Sequence, residues 1–500
     1  MSRRPSRRIG GAAARSHHRH GRTGRAGKRH AHLGTARGLA GSRRHHLHRP
    51  PKLTVRQFVP TVLSPPMVDR LFWRAGFGPS AHDRATWTGR PVVDAVSWLL
   101  SAPAGLSGPS PTDNGSPLDP TGDDTDLVLS WIDRMVRASN PFVERLTFFW
   151  HRHWANSRDQ VSPPQLMITQ NGLFRSYADL GSNPRASFRD LAYAVTIDPS
   201  MLRYLTGELN VRGAPNENYA RELMELFTLG VTNAAGHPNY SQQDVAQMAK
   251  ALSGWQINDN DPNAAHSYFT QSLWYDGPKL VFGRFGNFTA SDAVDLVISH
   301  PAHPGFIVRA LWQEFINDPL DAPTLQRLTS TYTSSGHQIR PVLEQILLHP
   351  ALFSSLDEPD MIKPPVVYVV GAMRAMGLGV TDTTASDYLD AMGQLPYYPP
   401  NVSGWEGGLS WLNTDTALAR FGCIAALVGN QQIQDVRGES APAAYDRAYA
   451  AVGSPWLASQ TVAALQAFSQ AVPSSDSQSR IERQIALRTL MLAGPDAQVM

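Results

Sequence analysis

The stretch that decides the fold is residues 140–154, which read NPFVERLTFFWHRHW. Asn140 suits the position before a helix, where a side-chain oxygen accepts a hydrogen bond from the first turn, and Pro141 suits the first helical position. One stripe carries mainly apolar side chains at helical spacing: Phe142, Leu146, Phe149, Trp150 and His153. The pattern predicts a helix that packs into the core of a mainly α protein.

The two histidines of this stretch, His151 and His153, are two residues apart. On a helix with 3.6 residues per turn such side chains point about 200° apart, whereas on a strand they share one face. The helical prediction therefore excludes one metal ion held by both imidazoles. We expect His153 to face the core, as either a hydrogen-bonded core residue or a ligand, and His151 to face elsewhere.

A second cluster of charged residues lies in 216–230, NENYARELMELFTLG, which predicts a helix that ends at Gly230. Its polar side chains form two adjoining edges, one with Glu217, Arg221 and Glu225 and one with Asn218, Glu222 and Glu225. A solvated row of salt bridges between residues four apart is one interpretation, since exposed pairs contribute only a few tenths of a kcal/mol each. In the other, Glu222 or Glu225 turns inward and meets His153.

The inward interpretation predicts a polar pocket, because facing helices build metal and acid/base sites from carboxylate and imidazole groups. His153, Glu222 and Glu225 would be the catalytic residues, and His153 with Glu222 would bind a divalent metal ion. Di-iron chemistry is disfavoured because neither helix contains Glu-x-x-His. Further polar residues would contact the ligand: His151, Asn218 and Arg221.

Three other segments interrupt the helical pattern. Residues 104–124 are rich in Gly, Pro, Ser and Asp, which predicts an exposed loop. Residues 266–288 contain two aromatic or β-branched runs around Asp276–Gly277, which predicts one small β-hairpin insertion with Asp276 and Lys279 as ligand contacts. Residues 397–411, YYPPNVSGWEGGLSW, form a loop whose Trp405 and Trp411 either hold a sugar or peptide or seal the helical body.

Charge divides the chain into two unlike parts. Residues 1–50 hold 14 Lys or Arg, 8 of the 17 histidines, and no Asp or Glu. The remaining residues carry 31 basic and 42 acidic side chains, a net charge of −11. We predict a disordered Arg/His-rich tail over residues 1–58, with too little apolar surface to fold, and a single helical domain over residues 59–500.

Neither a signal peptide nor a membrane span is predicted. The first basic residues are followed by no apolar run of the length that a secretory leader needs. No segment approaches the roughly 20 apolar residues of a spanning helix. The single cysteine, Cys423, excludes an internal disulfide and a cysteine-rich metal site. As written, the chain is expected in the cytoplasm.

Several motifs in order along the chain resemble a bacterial family catalogued as domain of unknown function 1800. The resemblance covers about residues 67–497 and is carried by RLFWRAGFGPSA (70–81), FFWHRHWANS (148–157), NENYARELMELFTLG (216–230), DGPKLVFGRFGNF (276–288), KPPVVYVVGAMRAMG (363–377) and PPNVSGWEGGLSWLNT (399–414). It implies a largely helical fold, frequent export and no established reaction. It also implies a candidate partner, a sulfatase-like protein whose genes often neighbour those of the family.

The chain departs from the family pattern at Tyr275, where a histidine often precedes the aspartate of the Asp-Gly-Pro-Lys motif. A site that used this histidine is not expected here. The basic tail also replaces the usual leader of the family, so the export that the resemblance implies is not predicted from this sequence.

Two functions remain open. The first is a metal-assisted or acid/base enzyme of the hydrolase type, which would act on a small molecule or polymer in the His/Glu pocket. The second is a non-catalytic binding or assembly protein whose Trp/Gly loop holds a partner such as the sulfatase-like protein. Nucleic-acid binding is the least favoured, because the acidic body repels the polyanion that the tail attracts.

Overall fold

The computed structural model of the chain describes residues 61–258, 266–473 and 475–500. All of the described residues belong to one compact unit. The predicted disordered tail at residues 1–58 lies outside the described residues.

Helices form most of the described structure, which confirms the mainly α fold class. The first ten are α1 (Pro65–Arg74), α2 (Ala81–Trp87), α3 (Val92–Ser101), α4 (Asp124–Arg137), α5 (Pro141–His153), α6 (Pro164–Ala178), α7 (Phe188–Thr196), α8 (Pro199–Tyr204), α9 (Asn218–Glu222) and α10 (Gln242–Ala251). The next ten are α11 (Ala290–Ile298), α12 (His303–Phe315), α13 (Ala322–Ser334), α14 (Arg340–Leu347), α15 (Pro365–Met376), α16 (Thr384–Ala391), α17 (Thr414–Gly429), α18 (Ala441–Ala451), α19 (Ser459–Ala471) and α20 (Ser477–Ala493). Within the described ranges, every helix is too short or too polar to cross a bilayer.

The strands form small antiparallel pairs, and the pairing differs from the predicted hairpin. The pairs are β1 (Thr112–Asp113) with β2 (Ser116–Pro117), β3 (Trp255–Asn258) with β4 (His266–Phe269), and β5 (Lys279–Val281) with β6 (Arg284–Gly286). Asp276–Gly277 therefore joins two hairpins and is not itself the turn of one. The turn between β5 and β6 is Phe282–Gly283, where φ values of 49° and 72° suit a tight two-residue hairpin turn.

Helix α5, the helix predicted from the 140–154 stretch, is buried on all sides. Every residue from Pro141 to His151 is buried, so the predicted apolar stripe is only part of its contact surface. Asn140 caps the helix as expected, since its side-chain oxygen accepts a hydrogen bond from Phe142 N–H at 3.1 Å. A helix covered on all faces has the character of a core helix.

Two buried charges on α5 are neutralised by other elements. The Glu144 carboxylate, which is fully buried, accepts hydrogen bonds from Arg175 Nε at 2.6 Å and Trp131 Nε1 at 3.0 Å. Arg145 forms an ion pair with Glu314 at 3.0 Å. Buried charges are tolerated only with such partners, so these contacts fix the position of α5 against α4, α6 and α12.

The predicted helix at 216–230 is not a continuous α-helix. Helix α9 covers Asn218–Glu222, and a π-helix, π1, continues it over Leu223–Thr228. Gly230 ends the segment at φ 77°, as expected for a residue that must adopt a left-handed conformation. Because a π-helix pairs residues five apart, the side chains after Leu223 leave the register that a spacing of four predicts.

Asn140 supports a stability prediction, because it caps α5 and also binds the end of α3. Its Nδ2 donates to Leu99 O at 2.9 Å and to Ala102 O at 2.7 Å, and the residue is fully buried. Asn140→Ala should lower the free energy of unfolding by about 2–4 kcal/mol, through the lost cap and two buried carbonyls without a donor. Urea denaturation followed by circular dichroism measures this change.

Asp123→Ala is the matched control for this prediction. Asp123 also caps a helix, accepting from Thr125 N at 2.7 Å, but it is exposed and closes no distant helix end. Its replacement should cost about 1 kcal/mol. Equal losses for the two variants would contradict the role given to Asn140.

Candidate functional site

His151 lies in the core and anchors the Trp/Gly loop. Its Nε2 accepts a hydrogen bond from Tyr397 N–H at 3.2 Å, at the first residue of that loop. The imidazole packs between aromatic rings, with Trp131 at 5.3 Å and Trp405 at 5.7 Å between ring centroids. Burial lowers the pKa of His151 to about 3, so the ring is neutral at physiological pH. The predicted ligand contact is thus a structural residue.

His153 faces the other side of α5 and binds the end of π1. The prediction that His153 faces the core and His151 does not is wrong, because His151 is the more deeply buried of the two. Its Nε2–H donates to Phe227 O at 2.9 Å. The half-buried ring is surrounded by aromatic side chains, including Phe149, Phe188 and Phe306. Burial lowers the pKa of His153 to about 4 although the carbonyl opposes this effect. Of the two interpretations left open, the geometry matches the hydrogen-bonded core residue.

A third histidine, which the sequence analysis did not single out, binds the next carbonyl of the same π-helix. His303, at the start of α12, donates from Nδ1–H to Thr228 O at 3.0 Å, and its Nε2 accepts from the Tyr332 hydroxyl at 2.8 Å. Burial lowers the pKa of His303 to about 3. The only sequence signal for it was its position in the HPAHPGF segment, which gives no spacing to Thr228.

The contacts of the described residues do not assemble the predicted pocket of His153 with Glu222 and Glu225. Within the described residues, no hydrogen bond or ion pair joins His153 to either glutamate. The described residues also contain no group of three or more His, Cys, Asp or Glu arranged to hold a metal ion. The reason is geometric, because the π-helix gives the fully buried positions to Phe227 and Thr228 and leaves the two glutamates half-buried.

The two glutamates lie together at the edge of π1, and both are half-buried. Burial and the neighbouring Glu225 carboxylate raise the pKa of Glu222. Glu225 accepts a hydrogen bond from the Tyr240 hydroxyl at 2.8 Å. This pairing accounts for Glu225 without any ligand.

The other polar residues of this segment have local partners. Arg221 pairs with Glu217 at 3.1 Å, which matches the solvated salt-bridge interpretation. Asn218 is exposed, and its Nδ2 donates to Thr206 Oγ1 at 3.1 Å. These contacts stabilise the start of α9, so the geometry gives neither residue a ligand-binding arrangement.

The two predicted ligand contacts of the hairpin region, Asp276 and Lys279, differ in solvent exposure. Asp276 is exposed and pairs with Arg212 at 3.3 Å. Lys279 is buried, donates to Asn287 Oδ1 at 2.7 Å and lies 4.3 Å from the centroid of the Trp274 ring. Burial lowers the pKa of Lys279 to about 8. A caged lysine of this kind holds the β5–β6 hairpin against its surroundings and is not open to an anionic ligand.

Trp405 and Trp411 are both buried, which matches the sealing interpretation of the Trp/Gly loop. The Trp405 ring stacks on Phe148 of α5 with centroids 5.7 Å apart. Gly404 has φ 79°, and a Cβ there would lie 2.8 Å from Arg152 O, so the loop needs glycine to approach α5 this closely. The indoles therefore fix the loop and do not present flat faces to solvent.

The outer side of the same loop borders an open groove of about 650 Å³. Three exposed carboxylates line it: Asp390, Glu406 and Asp415. Along the chain beside the groove, the stretch 409–421 exposes large apolar side chains, with Leu409 81%, Leu418 73% and Phe421 48% accessible. Leu418 and Phe421 are three apart on α17 and share a face.

A separate cavity, which no sequence pattern indicated, lies between α1, α15 and the 452–500 segment. Its volume is about 60 Å³. Its wall includes Trp73, Tyr368 and Trp456 together with Asp69 and Lys363. The KPPVVYVVGAMRAMG motif contains this lysine, but only the fold brings residues so distant in sequence around one space.

The comparison with known families agrees with the motifs. The profile of the family described as "Protein of unknown function (DUF1800)" matches residues 70–499. The chain belongs to this family. No curated protein and no solved structure matches it.

The low pKa values of His151, His153 and His303 predict that this family member loses folding stability in acid. Each has a folded-state pKa below the ordinary value of 6.5, so the unfolded chain binds more protons between about pH 6.5 and 4. Their contribution to stability is present at neutral pH and is lost as pH falls through this window. Buried Asp198 acts in the opposite direction, because its pKa is raised to about 7.

His153→Gln isolates the histidine contribution, because glutamine can still donate to Phe227 O but does not titrate. The variant should be less stable than the wild type at pH 7, and this difference should shrink by about 1–3 kcal/mol between pH 7 and pH 4. Urea denaturation at several pH values measures it. A difference that stays constant with pH would show that His153 is not held neutral in the folded state.

Proposed function

We propose that this chain is a non-catalytic binding or assembly protein, and that its docking face comprises the groove and residues 409–421. The observation that carries the proposal is the exposure of Leu409, Leu418 and Phe421 in the same stretch of chain whose Trp411 and Asp415 line the acidic groove. Single exposed apolar residues are common, but several in one short stretch beside a groove are typical of an interaction site.

The rigidity of the loop supports this function. Its first residue is held by His151, Gly404 packs on Arg152, and both indoles are buried. A surface that is already ordered loses less conformational entropy when a partner binds. The loop is therefore suited to present Leu409 in one fixed position.

The charges of the groove point to the chemistry of the partner. Asp390, Glu406 and Asp415 line the groove, and the chain outside residues 1–50 carries a net charge of −11. Complementary charges steer association and select partners. We infer a partner segment that carries aliphatic or aromatic residues flanked by Lys or Arg.

The family resemblance names a first partner to test, the sulfatase-like protein whose genes often neighbour those of this family. The acid/base or metal-assisted enzyme has less support from the geometry, since His153 is occupied by a main-chain carbonyl. The binding function needs no reactive group at that position, and it uses the residues that are exposed.

Leu418→Glu tests the docking face. The purified chain should bind the purified sulfatase-like protein of the same organism in isothermal titration calorimetry, and the variant should bind at least about tenfold more weakly, because a carboxylate replaces an apolar contact beside an acidic groove. Leu209→Glu is the matched control, since Leu209 is 64% exposed and lies outside the docking face. It should bind like the wild type.

Three outcomes contradict parts of the proposal. Absence of binding by the wild type rules out the sulfatase-like partner, and equal weakening by both variants rules out this docking face. Light scattering of the chain alone provides the third measurement. A dimer that Leu418→Glu dissociates would identify a second copy of the chain as the occupant, in place of a different partner.

A further inference from the structure

The cavity is lined by the side chain of Lys363, one of few lysines in a chain whose basic residues are mostly arginines. The chain has 45 Lys or Arg, of which only five are lysines: Lys28, Lys52, Lys250, Lys279 and Lys363. It buries arginine readily, since Arg74, Arg145 and Arg420 are at most 2% exposed. Lysine differs from arginine in that it can lose its proton and become a nucleophile. Two lysines of the described residues are buried: Lys279 is caged by Asn287 and Trp274, whereas Lys363 lines a cavity. Lys363 therefore calls for an explanation beyond positive charge.

The amine of Lys363 is held at the wall of the cavity. Its Nζ donates to Ala497 O at 2.9 Å and lies 3.8 Å from the centroid of the Trp73 ring. The side chain is only 5% exposed, so the amine reaches its surroundings through the cavity. The carbonyl occupies one N–H, which leaves the nitrogen two further positions for hydrogen or a new bond.

The surroundings favour the neutral amine. Burial, with a smaller contribution from the Arg420 guanidinium, lowers the pKa of Lys363 to about 7, and Asp69 acts in the opposite direction. Arg420 is fixed in place, since it donates to Lys363 O at 2.8 Å and lies over the Tyr368 ring at 4.8 Å. A large share of the amine is therefore neutral at the pH of the cell.

The cavity also supplies walls and an acid/base group. Trp73, Tyr368 and Trp456 are aromatic walls, and Asp69 is on the same lining. Asp69 pairs with Arg84 at 2.6 Å, and burial raises the pKa of Asp69 in spite of that arginine. The open volume of about 60 Å³ is several times the roughly 10–15 Å³ that a single water requires. A molecule of several non-hydrogen atoms fits.

We propose that this cavity binds a small aldehyde or ketone with an apolar body, and that Lys363 forms an imine with its carbonyl carbon. The site shares no residue with the docking face and does not depend on the proposed function. Buried lysines in apolar pockets are the amines that perform this chemistry in proteins.

The reaction balances without any oxidant or reductant. The lone pair of Nζ forms a bond to the carbonyl carbon while the π electrons of the C=O bond move to oxygen. A proton passes from nitrogen to that oxygen, with the Asp69 carboxylate as the carrier on the cavity wall, and gives a carbinolamine. The Asp69 carboxyl protonates the hydroxyl, water departs and the nitrogen lone pair closes the C=N bond, which gives an iminium ion. Return of the remaining N–H proton to Asp69 gives the imine.

Reductive trapping tests this assignment on the full chain. The protein is incubated with butanal and cyanoborohydride at pH 7.5, and the modified lysines are mapped by peptide mass spectrometry. We expect Lys363 to be alkylated at least about tenfold faster than Lys250, because at this pH a pKa of about 7 leaves far more neutral amine than the usual lysine value of about 10.4. Lys363→Arg, which keeps the charge, should lose this modification and retain that of Lys250.

Two further measurements separate a reactive amine from one that only ties Ala497 in place. The alkylation rate of Lys363 should rise with pH to a plateau with a midpoint near 7. Butanal should react faster than 3-hydroxypropanal, a polar aldehyde of the same length, because the cavity walls are apolar. Alkylation of Lys363 no faster than that of Lys250 overturns the proposal. So does a rate that still rises steeply above pH 9, or equal rates for the two aldehydes.

Discussion

Every carbonyl oxygen at the end of a buried helix needs a hydrogen-bond donor, and this requirement organises the core of the protein. The last turn of any helix leaves carbonyls without intrahelical donors, and burial forbids water from supplying them. Here distant side chains supply the donors. Arg374 donates to Met135 O, Val136 O and Ala138 O at the end of α4, and Asn140 donates to two carbonyls at the end of α3.

The two histidines of α5 belong to the same scheme. His153 and His303 donate to consecutive carbonyls of π1, and thereby hold from outside a helix type that is seldom stable alone. His151, on the opposite face, accepts from the main chain of the Trp/Gly loop. Helix α5 thus joins two irregular segments through neutral imidazoles, which gives the titratable residues among these aromatic rings a structural role.

The core histidines thus stabilise the fold, whereas some residues of the surface and of the cavity are not accounted for by stability. Leu418 and Phe421 are not part of the hydrophobic core, so exposing their apolar surface to water does not stabilise the fold. Lys363 does have a structural contact, at Ala497, but unlike caged Lys279, the other buried lysine of the described residues, it lines a cavity. These two places, the docking face and the cavity, are where we propose that the protein binds a partner and a carbonyl compound.

Local sequence patterns were enough to predict the mainly helical fold class and the cap of α5 at Asn140. They also predicted that the side chains of His151 and His153 point to opposite sides of α5, because helical periodicity and capping act over a few residues. The same patterns indicated the Glu217–Arg221 pair, whose spacing of four is local. Tertiary contacts were needed to show that π1 interrupts the second helix and that β4 pairs with the preceding strand β3. They were also needed to show that His153 donates to Phe227 O and to no glutamate. Those outcomes depend on partners far along the chain, and no local pattern encodes the distance between them.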